Sequence, residues 1–180
     1  MVMSNSHVRQ LTQHVWALAE SNVAEWSRLD PCQAIVSGVA VSGVALTDYG
    51  DEACQDRAAL ARQTRASAAA LVAELPSVPA AVAAAVMSER CGIEAELYES
   101  GQMQRRLDVM TCPLQEVRRA IDLSFPADGG LGAGEDVVAE DEAWSTFIGR
   151  LAQVPAALDS YLAGLGAAAD RGEVPAGTAV

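Results

Sequence analysis

The residues able to do chemistry crowd into one stretch of the chain, Val82 to Phe125: Arg90, Glu94, Glu96, Tyr98, Arg105, Asp108, Gln115, Arg118 and Asp122. A carboxylate such as Glu94 or Glu96 becomes a general acid or base when apolar surroundings raise its pKa. Arg90, Arg105 and Arg118 are candidates to hold an anionic substrate group, and Tyr98 to donate a hydrogen bond. Asp108, Gln115 and Asp122 complete the substrate-binding set. At 3.6 residues per turn, Val82, Val86, Ile93 and Leu97 form one apolar stripe, and Met87, Cys91 and Tyr98 form a second. Arg90 and Glu94 lie between the stripes, one turn apart, while Ser88, Ala95 and Glu99 face the far side. A buried charge must be paired. The pair is therefore either an ordinary i,i+4 ion pair, worth roughly 0.2–0.5 kcal/mol, or part of a cleft. In a cleft, Arg118 and Asp122 would stand opposite, beside Leu114, Val117, Ile121 and Phe125. The expectation is that Glu94 faces the interior and pairs with an arginine.

No metal and no cofactor are expected. Cys32, Cys54, Cys91 and Cys112 form no CxxC, and His7 and His14 are the only histidines. Neither set has zinc-site spacing. There is no HExxH, no GxSxG and no Walker A sequence. Isolated cysteines on helices are small core residues, and thiols of this kind fit a cytoplasmic setting. A net charge of −12 argues against nucleic acid and an anionic membrane, both of which select basic surfaces. The N-terminus lacks a signal-peptide pattern. The nearly apolar run from Ala34 to Leu46 is too short to cross a bilayer.

The elements that must position these residues read as helices. Hydrophobic residues make up 51% of the chain and aromatics only 4%, a balance that suits closely packed helices. The expected fold is an all-α single helical bundle domain over residues 1–180, with six or seven helices. Breaks are expected near Asp30, Pro76, Gly101, Pro126 and Pro155. The first helix spans His7 to Arg28. Asp30-Pro31 is a helix start, followed by a short helix to about Gly38 and extended chain to Leu46 through the tandem VSGVA VSGVA. Asp51 is an N-cap candidate for a helix to Leu75. The central helix runs from Ala80 to Ser100 with Gly101 as C-cap, and Pro113 opens the next. Pro126 to Glu135 is a flexible loop, Glu135 to Glu142 a solvated acidic face, Pro155 a break or kink, and the tail from Glu173 frayed.

SERCGIEAELYESGQ, RRLDVMTCPLQEVRRAIDL and RLAQVPAALDSYLAGLGAAADRG, with LDP at Leu29 and ALTDYG at Ala45 as earlier landmarks, resemble the bacterial family called domain of unknown function 885. The resemblance runs from about Leu29 to Pro175. It implies the N-terminal helical lobe of long, zinc-peptidase-like proteins, whose metal-binding His-Glu and Gly-His-His signature lies far downstream. Arg106, Leu107 and Asp108 match a charged family run, but Val109 stands where the family has a polar residue. Two functions follow as expectations. One is a stand-alone binding module for a small molecule, a peptide or a partner protein, with homodimerisation as one outcome. The other is a small metal-independent enzyme of specialised metabolism using the carboxylates and arginines above.

Overall fold

Helices begin where the sequence signals them. The structure, a computed structural model, describes residues 5–75, 79–126 and 137–174. Among these the fold is all-α, with α1 Asn5–Leu29, α2 Pro31–Val36, α3 Asp51–Glu74, α4 Pro79–Glu99, α5 Pro113–Ser124 and α6 Val137–Asp170. The chain divides into two compact units, Met1–Trp26 with Cys54–Met103, and Ser27–Ala53 with Gln104–Val180. The boundaries fall inside α1 and near the start of α3.

The first unit is built on a seam of small side chains. Ala58, Ala61 and Ala68 of α3 are buried, as are Ala80, Ala84, Cys91, Gly92 and Ala95 of α4. Small residues bring two helices close, and many weak dispersion contacts then add up. α3 and α4 run antiparallel, since Ala61 clusters with Cys91 and Ala95 while Cys54 and Ala58 cluster with Tyr98. Leu11 and Val15 of α1 close the other end against Leu75, Ala80 and Ala84. Thr64 Oγ1 of α3 donates to Asn22 Oδ1 of α1 at 2.8 Å. Arg57 is only 4% exposed. Its Nε donates to the Tyr98 hydroxyl at 3.0 Å and its Nη2 to Cys54 Sγ at 3.2 Å. Gly101 adopts φ 68°, and the Gln102 N–H reaches Leu97 O at 3.0 Å, the C-cap expected of this glycine.

The expected facing of α4 needs correction in part: Cys91 and Tyr98 of one apolar stripe are buried, but the other stripe turns outward. Val82, Val86 and Ile93 are exposed, while Ala95, placed on the far side by the helical wheel, is buried. Reading branched apolar residues as the inner face misses that close helix packing selects the smallest side chains instead.

The second unit begins at the α2 cap. Asp30 Oδ1 accepts the Gln33 N–H at 3.2 Å, and Pro31 takes the first helical position. Thr47 folds back onto this start: its Oγ1 donates to Asp30 Oδ1 at 2.6 Å and accepts the Cys32 N–H at 2.9 Å. Between them α2 ends at Val36. Gly38 and Gly43, the matching glycines of the two pentapeptides, both adopt positive φ, a left-handed turn that glycine makes without a steric penalty. Cys32, Tyr49, Val117 and Ala120 form the core with Ala157 and Tyr161 of α6. Asp51 lies inside the first turn of α3, and its carboxylate pairs with Arg171 at 3.1 Å.

α6 corrects a second expectation, because it passes Pro155 without ending. The proline removes one N–H and crowds the preceding turn. Pro155 and Leu151 are both exposed, so water can take the freed carbonyl. Val154 and Ala157 pack into one core from either side of the proline. The breaks at Asp30 and Gly101 are present. Pro76, most of the 126–135 loop, much of the acidic run and nearly all the tail lie outside the described residues. Asp141 and Glu142, at the end of that run, are exposed on α6.

Candidate functional site

A groove of about 410 Å³ opens between α3 and α4 in the first unit. Arg65, Ala69 and Val72 form one wall; Ala85, Ser88, Glu89, Gly92, Ile93 and Glu96 form the other. The seam sets its depth, because alanines beneath leave room above. Gly92 sets its chemistry. A β-carbon at this position would stand 3.3 Å from Arg65 Nε and 3.4 Å from its Cζ. The missing side chain thus lets the guanidinium lie across α4. Ser88 Oγ donates to the Arg65 carbonyl at 3.4 Å. The Arg65 guanidinium makes no ion pair among the described residues. The groove therefore offers one uncommitted cation, two exposed carboxylates and an apolar floor. That combination can bind an amphipathic ligand carrying both signs of charge.

The second unit holds a denser polar cluster. Arg106 Nη2 donates to Glu116 Oε1 at 2.6 Å, and the Tyr49 hydroxyl donates to Glu116 Oε2 at 3.3 Å. The Tyr161 hydroxyl donates to the Arg106 carbonyl at 2.6 Å. Burial raises the Glu116 carboxyl above its ordinary value, against the opposing pull of Arg106. Burial likewise raises the Cys32 thiol and the Tyr49 phenol, and pushes Tyr161 up to about 12. Each charged group here has its partner inside the cluster, so the arrangement braces α5 against the 46–50 segment and α6. A second buried cation, Arg150, donates to Ser124 Oγ at 2.6 Å and to the Gly43 carbonyl at 3.3 Å. It sits at the last residue of α5, where a cation complements the negative end of the helix dipole. Burial lowers its pKa, and its Nε has no partner among the described residues.

The residues singled out from sequence separate between the two units. Glu96 lines the α3–α4 groove; Arg90 is exposed, Glu94 half-buried, and Tyr98 buried against Arg57. In the second unit, Arg105 and Gln115 are half-buried. Asp108 holds a turn by accepting the N–H groups of Met110 at 2.8 Å and Thr111 at 2.6 Å. These bonds, with one from the Thr111 hydroxyl as the largest influence, lower its pKa. Arg118 and Asp122 form the expected i,i+4 pair at 3.7 Å, largely exposed. Sequence reasoning missed Arg65, Glu89 and Gly92 as groove residues. The available signal was Gly92 itself, since a glycine inside a helix is destabilising by about 1 kcal/mol relative to alanine and marks a close approach.

Among the described residues no group of three His, Cys, Asp or Glu side chains is placed to hold a metal ion. None of their helices is long and apolar enough to cross a membrane. Residues 31–180 match a family described as bacterial protein of unknown function (DUF885). No curated protein matches the chain.

Proposed function

The chain belongs to the DUF885 family, and from that premise we propose that it is a helical binding module whose ligand site is the α3–α4 groove. The ligand is a small molecule or short peptide with an apolar body, a carboxylate for Arg65 and an amine for Glu89 or Glu96. The observation that supports this most is the Arg65 guanidinium laid across Gly92 with no acidic partner among the described residues. A groove of about 410 Å³ falls within the ~300–1,000 Å³ usual for ligand sites. Its open form implies weak binding. Binding is metal-independent, and the four buried free thiols suit a reducing cytoplasm.

Glu96 favours a second reading. It lines the same groove, so acid–base turnover of the bound ligand is the enzyme alternative. Titration calorimetry with leucyl-leucine, its N-acetyl form and its C-terminal amide tests the site. Free dipeptide should bind, and either block or Arg65→Gln should weaken it by at least about tenfold, near 1.4 kcal/mol. Equal heats for all forms would sink the groove. Mass spectrometry of the recovered dipeptide separates the two readings: unchanged ligand supports a module, cleaved or altered ligand an enzyme.

A further inference from the structure

We propose that a second copy of this chain packs on the outer face of α4, the two helices parallel about a two-fold axis. This goes beyond the ligand groove. Val82, Val86 and Ile93 are 65%, 54% and 46% exposed, and Leu97 is half-buried. On a helical projection these residues fall in one stripe about 100° wide or less, along roughly 22 Å of helix. Three branched aliphatics in line on one helix are more than the scattered apolar residues normal on a surface.

The charges beside the stripe say what covers it. Glu89 flanks it on one side and Arg90 on the other. Both are exposed, and neither makes an ion pair among the described residues. When two copies of a helix face each other in parallel, the left flank of one meets the right flank of the other. Glu89 then meets Arg90 of the second copy, and the two-fold axis repeats that contact. Val86 and Ile93 stack on their own counterparts between the two ion pairs. An antiparallel pairing centred on the same residues would set Glu89 beside Glu89 and Arg90 beside Arg90. Glu96, on the Glu89 flank, comes level with Leu97 of the second copy and finds no basic partner there. The surface is therefore complementary to itself in one orientation.

One helix pair buries an area at the low end of specific interfaces, around 1,200 Å² in total, so the association depends on concentration. Sedimentation equilibrium from about 1 μM to 1 mM should show the average mass rising from 18.8 kDa toward twice that value. Val86→Glu with Ile93→Glu should stay monomeric with an unchanged helical spectrum, since both side chains lie outside the core. Arg90→Glu should weaken association by about tenfold, and adding Glu89→Arg should restore it. Oxidation should link Val86→Cys to itself, and likewise Ile93→Cys, with wild type and its four buried thiols as the blank. A mass fixed at 18.8 kDa throughout would overturn the proposal. So would a dimer that survives the double glutamate variant. Cross-linking of Glu89→Cys without that of Val86→Cys or Ile93→Cys would show the antiparallel arrangement and overturn the charge argument.

Discussion

Gly92 shows how one absent side chain can serve a site at the expense of its helix. Gly92→Ala should gain up to about 1 kcal/mol from helix propensity, roughly 2–4 °C in Tm for a chain of this size. The new methyl would stand 3.3 Å from Arg65 Nε, and the flexible arginine should swing away. Calorimetry should find a more stable protein that binds leucyl-leucine less well; a tighter complex would contradict the role given to Gly92. Glu116 supplies a second prediction. Glu116→Gln keeps the shape of the protonated carboxyl and removes the charge that burial opposes, so at pH 7 the variant should be at least as stable as wild type. Burial raises the folded pKa of Glu116, so the folded protein holds this proton more tightly than the unfolded chain. The resulting stability is fully present below the ordinary glutamate pKa and is lost as pH rises through the raised one. Denaturant titrations between pH 7 and 4 should therefore show wild type gaining on the variant as pH falls. A wild type that loses ground over that range would contradict it.

At the level of elements, α6 and α4 explain what the sequence could and could not convey. Gly164 and Gly149 are both points of close approach on α6, but they differ in what they meet. A β-carbon at Gly164 would lie 2.6 Å from the Tyr49 carbonyl oxygen, backbone that cannot step aside; at Gly149 the neighbour is the Val44 side chain at 2.5 Å. Gly164→Ala should be destabilising by about 1–3 kcal/mol, and Gly149→Ala distinctly less because the exposed Val44 can turn. Thermal melts of the two variants side by side test this, and equal losses would contradict it. Helix starts and stops were legible because they are local: Asp30, Pro31, Gly101 and Pro113 act within a turn of themselves. The facing of α4 was not, because apolar residues occur on every side of it, and only the partner helix decides which are buried. The alanine-lined α3 made that decision in favour of small residues. Pro155 misled for the same reason, since packing on both sides of it offsets a local signal to stop. The groove was legible only through Glu96 and, unread, through Gly92. Arg65 lies on a different helix, and sequence spacing cannot pair it with either.

For the whole molecule, a net charge of −12 sets the terms of any encounter between copies. Two such bodies repel over about 10 Å at 0.1 M salt and about 30 Å at 0.01 M. Raising salt from about 0.01 to 0.1 M should therefore strengthen self-association, as read by the sedimenting mass. Weakening over that range would mean that the Glu89–Arg90 contacts outweigh the long-range repulsion. The two compact units carry separate features, a groove and an outer helix face on one, a braced polar cluster on the other. Ile93, like the flanking Glu89, belongs to both the groove and the outer face. A ligand resting on it alters the surface that another copy reads, and a second copy alters the rim that the ligand meets. Two equilibria that share a residue are coupled by the same factor in each direction. How much ligand each chain takes up would then depend on how many chains are present, and the protein would respond to its own abundance.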